Sequence, residues 1–244
     1  MNIKQLYREI FGSKDPTILD LPHANILIKR IIDIDRKGGS DHSKFDIAEA
    51  IGAVIYWIDI PPDVALKSST IKEILFWVHE NWDKDEKFRG EAFDILTSLE
   101  DPRDILSFLE QKSVCPETYR GFFRYCDDNI FTLDEKAFFK DVELFFPELT
   151  TEIMSWENLT KYKLEVFSRY TQCAMDVGDF AKAEKCFNLV AHHFEKSGKN
   201  FRHFISISYL KKVSFRASGN FLVWEMLPKN LKAEFEKVVD EKNL

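Results

Sequence analysis

Hydrophobic residues recur at helical spacing from Thr70 to Lys112, and polar residues fill the positions between them. This spacing predicts three short amphipathic helices, each with one apolar face that must be buried against a neighbour. Thr70 and Glu73 have the spacing of a capping box at the start of the first helix, and Asp101-Pro102 supplies an N-cap and an N1 proline for the third. The second helix carries a regular apolar stripe at Phe88, Ala92, Ile95, Leu96 and Leu99.

Amphipathic helices with short connections are also predicted on both sides of this stretch. Asn25 to Lys37 is apolar on nearly all sides and predicts a buried helix that ends at Gly38-Gly39, and Ser43 begins the next one. A long helix is predicted to end at Gly178, and a further helix to run from Asn200 to Ala217. No convincing strand is evident, so the predicted fold class is all-α, with stacked antiparallel helical hairpins followed by a C-terminal helical bundle.

The helical pattern breaks at the polar run Asp127-Asp128-Asn129. Thr132 and Glu135 then have the spacing of another capping box, which predicts that a new helix begins after the break. We therefore predict two parts, a HEAT-like helical subdomain over residues 1–129 and a C-terminal helical subdomain over residues 130–244.

The composition of the 244 residues, 45% of them hydrophobic, supplies enough apolar material for a continuous core. No apolar run approaches the length of about 18 residues that a transmembrane helix needs, and the first residues lack the apolar region of a secretory signal. We therefore expect a cytoplasmic protein. In that compartment the four cysteines, which form no CxxC pair, are expected to be reduced and partly buried: Cys115, Cys126, Cys173 and Cys186.

The net charge of −7 is unevenly distributed along the chain. Residues 1–160 contain 19 Lys and Arg against 31 Asp and Glu, a net charge of −12, whereas residues 161–244 carry a net charge of +5. An acidic majority disfavours nucleic acid as a direct ligand, because phosphate groups are bound by cations. It favours a basic protein partner, although an acidic surface that maintains solubility accounts for the same pattern.

Few residue patterns in the sequence could carry chemistry. The run from Asp33 to Gly38 has the glycine of a calcium loop, but Lys37 and Lys44 stand where oxygen ligands are required. His192-His193 point about 100° apart on a helix and cannot bind one metal together. Without a GxSxG, P-loop or GxGxxG motif, the sequence predicts no cofactor, no metal and no enzymatic activity. A hydrolase or transferase whose site the sequence does not reveal is the alternative from another class.

One group of aromatic and acidic residues with the composition of a protein-binding surface lies in the first helix of the Thr70–Lys112 stretch and in the acidic turn that follows it. It contains Trp77, Trp82, Asp83 and Asp85, and in such a group an aromatic anchor would bury area while carboxylates would meet a basic partner. Trp82 lies on the apolar stripe and is predicted to be buried. Trp77 lies off that stripe and is the tryptophan predicted to be exposed.

A second group of the same kind contains Asp127 and Asp128, which follow several aromatic residues. The alternative interpretation is a solvated turn over buried rings. With Trp77, Asp83 and Asp85, these two aspartates complete the set of residues that we predict to contact a partner.

Two segments resemble helical repeat families. Asp85 to Gln111 resembles a HEAT-like repeat, with a striped helix, an acidic-proline turn at Asp101-Pro102 and a second striped helix. The segment GDFAKAEKCFNLVAHHFE, Gly178 to Glu195, resembles half of a tetratricopeptide-type hairpin, with Asp179 as its N-cap. HEAT-like solenoids are typically protein-binding scaffolds, which is the function this resemblance implies.

Phe138 to Val213 resembles an all-helical bacterial domain that occurs among the immunity proteins of polymorphic toxin systems. The resemblance rests on FFPEL, Phe145 to Leu149, and on FISISYLKKV, Phe204 to Val213. An immunity protein binds one toxin, commonly a basic nuclease, and blocks its active site. The resemblance therefore implies a non-enzymatic protein that neutralises a basic cognate toxin by occlusion. The alternative is a helical scaffold or adaptor for a cellular protein or peptide.

Overall fold

A computed structural model of the chain describes residues 2–12, 19–38, 42–58, 60–112, 119–215 and 221–240. Within these ranges the regular elements are helices, and a single parallel bridge joins Leu19 to Ile58. The predicted all-α fold class is therefore confirmed. None of the described helices is long and apolar enough to cross a membrane.

The chain divides into two compact units, which we call unit 1 (Met1–Phe122) and unit 2 (Phe123–Leu244). In unit 1, α3 packs against both α2 and α6, and α2 also packs against α5. The HEAT-like stacking of these helices stays a prediction. The helices of unit 1 are α1 (Ile3–Phe11), α2 (Leu21–Arg36), α3 (Lys44–Tyr56), α4 (Pro62–Ala65), α5 (Ser68–Asn81), α6 (Glu86–Leu99) and α7 (Pro102–Gln111).

Several helices of unit 1 begin at the N-cap residues that the sequence predicts. Ser43 caps α3, and its side chain and that of Asp46 form a reciprocal capping box. Asp101 accepts a hydrogen bond from the Arg103 N–H at the start of α7, with proline in the first turn. The predicted cap at Thr70 is wrong. That residue lies inside α5, on its buried face, and its hydroxyl has no hydrogen-bond partner among the described residues.

Unit 2 is built around a helical hairpin and the long helix that precedes it. The hairpin consists of α10 and α11, and a π-helical segment also packs against α10. The aromatic core of unit 2 includes Phe138. Its ring lies edge-on to the rings of Phe167 and Phe201, with a distance of 5.7 Å between centroids in each pair. The elements are α8 (Arg120–Phe145), a 3-10 turn (Pro147–Leu149), α9 (Thr150–Met154), α10 (Thr160–Asp176), α11 (Phe180–Lys196), α12 (Lys199–Ile205), the π-helical segment (Ser206–Leu210), α13 (Phe221–Met226) and α14 (Lys229–Asp240).

The predicted break around Asp127-Asp128-Asn129 is wrong, because α8 continues through it. Thr132 is an interior residue of this helix, and its hydroxyl donates to the Asp128 carbonyl instead of capping a new helix. A polar run can remain helical when it lies on the solvent side of the helix. The two compact units divide at Phe122 and Phe123, in the first turn of the same helix.

Two glycines shape the connections within unit 2. Gly178 has a φ of 76°, a left-handed conformation that ends α10 as predicted. Gly198, at the start of α12, is required for space: a Cβ there would lie 2.6 Å from Cγ2 of Ile130. Its N–H also donates to Asp134 of α8 at 2.7 Å. The start of α12 therefore approaches α8 more closely than a larger residue would permit.

The helix predicted from Asn200 to Ala217 differs from the observed one. It begins at Lys199, becomes π-helical at Ser206 and ends at Leu210. Ala217 lies outside the described residues. The π-helical segment places Tyr209 in the core, where its hydroxyl lies 3.0 Å from that of Thr171 and burial raises the pKa of the phenol well above its usual value.

Candidate protein-binding site

Trp77 is buried, with 1% of its surface exposed, so the prediction that it is an exposed aromatic anchor is wrong. Its indole N–H donates to Asp35 of α2 at 2.8 Å, and the ammonium of Lys44 lies 2.6 Å from the same carboxylate. Its ring also contacts that of Phe88 edge-on. Trp77 therefore joins three helices of the core and does not reach a partner. Trp82 is buried as predicted.

Asp83 and Asp85 lie in the turn between α5 and α6, and both have partners within unit 1. Asp83 forms an ion pair with Lys112 at 3.0 Å, but 68% of its side chain remains exposed. Asp85 is the N-cap of α6 and accepts a hydrogen bond from the Lys87 N–H. Capping explains Asp85 without a partner protein, whereas Asp83 remains accessible for contact.

Asp127 and Asp128 lie on α8 in unit 2. Asp127 forms an ion pair with Lys199 at 2.8 Å, and only 20% of its side chain is exposed. Asp128 lies 3.5 Å from Arg124, one helical turn away, and is largely exposed. The predicted residues thus fall into different units, and most of them already have a partner within the chain. Their role in binding another protein stays a prediction.

The acidic residues at the start of unit 2 are offset by cations further along the same unit. An ion pair joins Asp127 to Lys199, and the Asp141 carboxylate accepts a hydrogen bond from His193 at 2.9 Å. Burial lowers the pKa of His193, so the imidazole is neutral at pH 7. Three further ion pairs in the described part of unit 2 connect the same two stretches: Glu135–Lys163, Glu148–Lys182 and Glu152–Arg169.

The surplus of negative charge therefore belongs to unit 1. Its 122 residues contain 16 Lys and Arg against 22 Asp and Glu, a net charge of −6. Unit 2 contains 18 against 19, a net charge of −1. Dividing the sequence at residue 160 assigns residues 123–160 to the acidic part. In the structure these acidic residues and the basic residues after them fold into one unit, so their charges nearly cancel.

Three carboxylates of unit 1 lie close enough to interact electrostatically where α3 packs against α6. Burial raises the pKa of Glu91, and the negative charges of Asp94 and Glu49 raise it further. Glu49 and Asp94 are exposed, and Glu91 is partly buried. We call these three residues the α3–α6 acidic cluster. A cation from a partner would relieve the repulsion that raises this pKa.

A fourth unusual carboxylate, Glu100, lies between α6 and α7. Burial, followed by the negative charge of Asp104, raises the pKa of Glu100 to about 7. One of its carboxylate oxygens is buried without a hydrogen-bond partner among the described residues. The ionised form of Glu100 is therefore destabilised in the folded unit. A positive group placed nearby would stabilise that form.

Replacing Glu100 with Gln is expected to stabilise unit 1 at alkaline pH. Between its ordinary pKa of 4.5 and about 7, Glu100 keeps a proton in the folded state that it has lost in the unfolded state, so the free energy of unfolding falls as the pH rises. Glutamine does not ionise, so the free energy of unfolding of the Glu100→Gln variant does not fall in this way as the pH rises. We expect a gain of about 1–2 kcal/mol at pH 8 after allowance for solvent screening, and no gain at pH 4.5.

Urea unfolding of wild type and Glu100→Gln at the two pH values measures this difference. Glu110→Gln, at an exposed position of α7, is the matched control and should change stability equally at both pH values. An equal effect of Glu100→Gln at pH 4.5 and pH 8 would show that Glu100 titrates normally.

The cysteine thiols of the described residues are free. Cys126 and Cys186 are buried, and burial raises the pKa of each thiol to about 11. At neutral pH both are protonated and lack the thiolate that nucleophilic chemistry requires. Cys173 is exposed, and Cys115 lies outside the described residues. Among those residues, no group of three potential His, Cys, Asp or Glu ligands is placed to hold a metal ion.

The residues that sequence reasoning missed as a candidate site are Glu49, Glu91, Asp94, Glu100 and Asp104. Glu91 and Asp94 are close in sequence, but Glu49 meets them only through the packing of α3 on α6. The one local signal was the density of acidic residues between Glu86 and Asp104. It could not distinguish carboxylates with a cationic partner from those without one.

Comparison with known families identifies a match in unit 2 only. Residues 139–242, less than half of the chain, match a family described as a domain of unknown function, DUF7674. No curated protein and no solved structure significantly matches the chain. The matched region includes the hairpin of α10 and α11, and it leaves unit 1, with the α3–α6 acidic cluster, outside the family model.

Proposed function

We propose that this is a non-enzymatic protein-binding protein whose unit 1 binds a basic partner. The observation that carries this proposal is the contrast between the two units. Four of the seven carboxylates of α8 and α9 in unit 2 have cationic partners, whereas in the α3–α6 acidic cluster the negative charges of Asp94 and Glu49 raise the pKa of Glu91. Charge that is unfavourable within the isolated protein becomes favourable when a cationic surface covers it.

The partner that fits this surface best is a basic toxin domain such as a nuclease, and the protein would then be its immunity protein. A nuclease active site is basic because it binds phosphates, so an acidic inhibitor can occupy the surface that nucleic acid would use. Complementary fields would speed association, and the bulk of unit 1 would exclude the substrate. The resemblance of Phe138 to Val213 to immunity-protein domains supports the same proposal.

A helical scaffold or adaptor is the second candidate, and exposed apolar side chains in unit 1 favour it. Tyr56, Val64 and Phe76 are 86%, 74% and 57% exposed. Apolar side chains of this size commonly mark contacts between proteins, and their binding energy depends little on salt. The two candidates therefore differ in how binding should respond to ionic strength.

Reversing the charge of the α3–α6 acidic cluster tests the proposal. We expect Glu91→Lys with Asp94→Lys to slow association with a basic toxin domain that the protein binds by about tenfold at low salt, and to flatten the salt dependence of the rate. Stopped-flow association at low and high salt measures the effect. Growth of cells that express the toxin measures loss of protection.

The matched control is Glu184→Lys with Glu236→Lys, which changes the net charge equally at exposed helical positions of unit 2. It should slow association much less, and circular dichroism should show that both double variants remain folded. If the unit 2 variant were the more damaging, the binding surface would not be in unit 1. If the protein bound its partner equally well at all salt concentrations, the adaptor function would be favoured.

A further inference from the structure

A groove with a volume of about 620 Å³ lies in unit 2, between the C-terminal half of α8 and one face of α11. Phe145 at the end of α8 and Phe146, the next residue, line one side, and Leu189 lines it from α11. Phe146 and Leu189 are buried, whereas Phe145 is 62% exposed. The volume is within the range of about 300–1,000 Å³ that is typical of small-molecule sites, and the apolar floor resembles theirs.

The ionisable groups of the groove lie at its two ends. Asp141 bonds to His193 at 2.9 Å and marks one end together with His192. Lys185 marks the other end, about 12 Å along α11 from His193 at 1.5 Å per residue. This separation exceeds the Debye length of about 8 Å at physiological salt, so Asp141 repels an anion at Lys185 only weakly.

Lys185 differs from the neighbouring lysines of α11. Lys182 lies 4.0 Å from Glu148, and Lys196 lies 3.1 Å from the His192 ring. Lys185 is exposed and has no ion pair within the described part of the chain. The amide of Asn188, also on the groove, is a second hydrogen-bond donor for an anion bound at Lys185. This end of the groove can therefore bind a negatively charged head group.

We propose that this groove binds a small amphiphilic carboxylate, with its carboxylate on Lys185 and its alkyl chain over Phe145, Phe146 and Leu189. The apolar floor extends from Lys185 towards Asp141, so the alkyl chain would run from Lys185 towards Asp141. Lys185 supplies the charge complementarity, and Asp141 is already hydrogen-bonded to His193. This site lies in the region matched by the family model and is independent of the function proposed for unit 1.

Isothermal titration calorimetry of the full chain with decanoate, decanol and decyltrimethylammonium, all below their micelle concentrations, tests the head-group preference. The three probes share one alkyl chain and differ in charge. We expect decanoate to bind with a one-to-one stoichiometry and at least fivefold more tightly than decanol. Octanoate should bind more weakly than decanoate, by up to about fifteenfold for the two methylenes that it lacks.

Variants locate the binding site. Lys185→Gln should weaken decanoate at least fivefold and leave decanol unchanged, and Phe145→Ala should weaken both. The matched controls, Lys229→Gln and Leu222→Ala, alter exposed residues elsewhere in unit 2 and should change neither affinity. Equal binding of decanoate and decanol, tightest binding of the cationic probe, no effect of Lys185→Gln, or no heat with any probe would each overturn the proposal.

Discussion

Replacing Leu96 with Glu is expected to unfold unit 1. Leu96 is fully buried on α6, which packs between α3 and α7. Glutamate at this position would place an unpaired carboxylate in the apolar core or force it to take up a proton. We expect a loss of at least about 4 kcal/mol, which is among the largest effects of single substitutions. Urea unfolding followed by far-ultraviolet circular dichroism measures it.

Gly90→Glu is the matched control, because it adds the same charge to an exposed position of the same helix. A Cβ at Gly90 has no neighbouring atom within 4 Å, so the new side chain has space. Replacing a helical glycine should stabilise α6 by up to about 1 kcal/mol, and repulsion from Glu86 and Asp94, each one turn away, should offset part of this gain, so the net change should be far smaller than that of Leu96→Glu. A change below about 0.5 kcal/mol for Leu96→Glu would place Leu96 on the surface.

Replacing Trp77 with Ala is expected to cost unit 1 about 3–5 kcal/mol, because it removes a large buried side chain and leaves a cavity. The variant also removes the indole N–H that donates to Asp35. Phe76→Ala, at the preceding residue, is the control. Its ring is 57% exposed and contacts the Arg36 guanidinium at 5.9 Å, so we expect a loss of about 1 kcal/mol or less.

Thermal and urea unfolding of the two alanine variants measure this difference between neighbours. If Phe76→Ala destabilised unit 1 more than Trp77→Ala did, α5 would be rotated so that Trp77 faces solvent. That result would restore Trp77 as a candidate contact for a partner.

The burial of Trp77 shows how a helical stripe can be assigned to the wrong face. The sequence predicts a buried stripe that includes Ile71, Ile74, Leu75 and Val78, whereas the buried face of α5 contains Thr70, Ile74, Trp77, Val78 and Asn81. Both sets have helical spacing and share two residues. α5 is apolar over much of its circumference, so periodicity alone did not choose between them. The hydrogen bond from Trp77 to Asp35, 42 residues earlier, requires the second face.

The position of the candidate binding site depended on tertiary structure for a similar reason. The sequence predicts an acidic protein and a basic partner. Most of the residues that it indicated as contacts, however, cap a helix or form an ion pair within the chain. Asp85 caps α6, and Asp127 pairs with Lys199, 72 residues later. The α3–α6 acidic cluster forms only because α3 packs against α6, which brings Glu49 to Glu91.

The sequence by itself determined the all-α class and several helix ends, although the local patterns at Thr70 and Thr132 predicted caps inside helices. Ser43, Asp101 and Asp179 cap the helices that they were predicted to cap, and Gly178 ends α10, because a cap is a local interaction. Tertiary structure alone decided which face of α5 is buried and which carboxylates have a cation beside them. Burial and ion pairing depend on residues distant in sequence, and helical spacing carries no information about which helices meet.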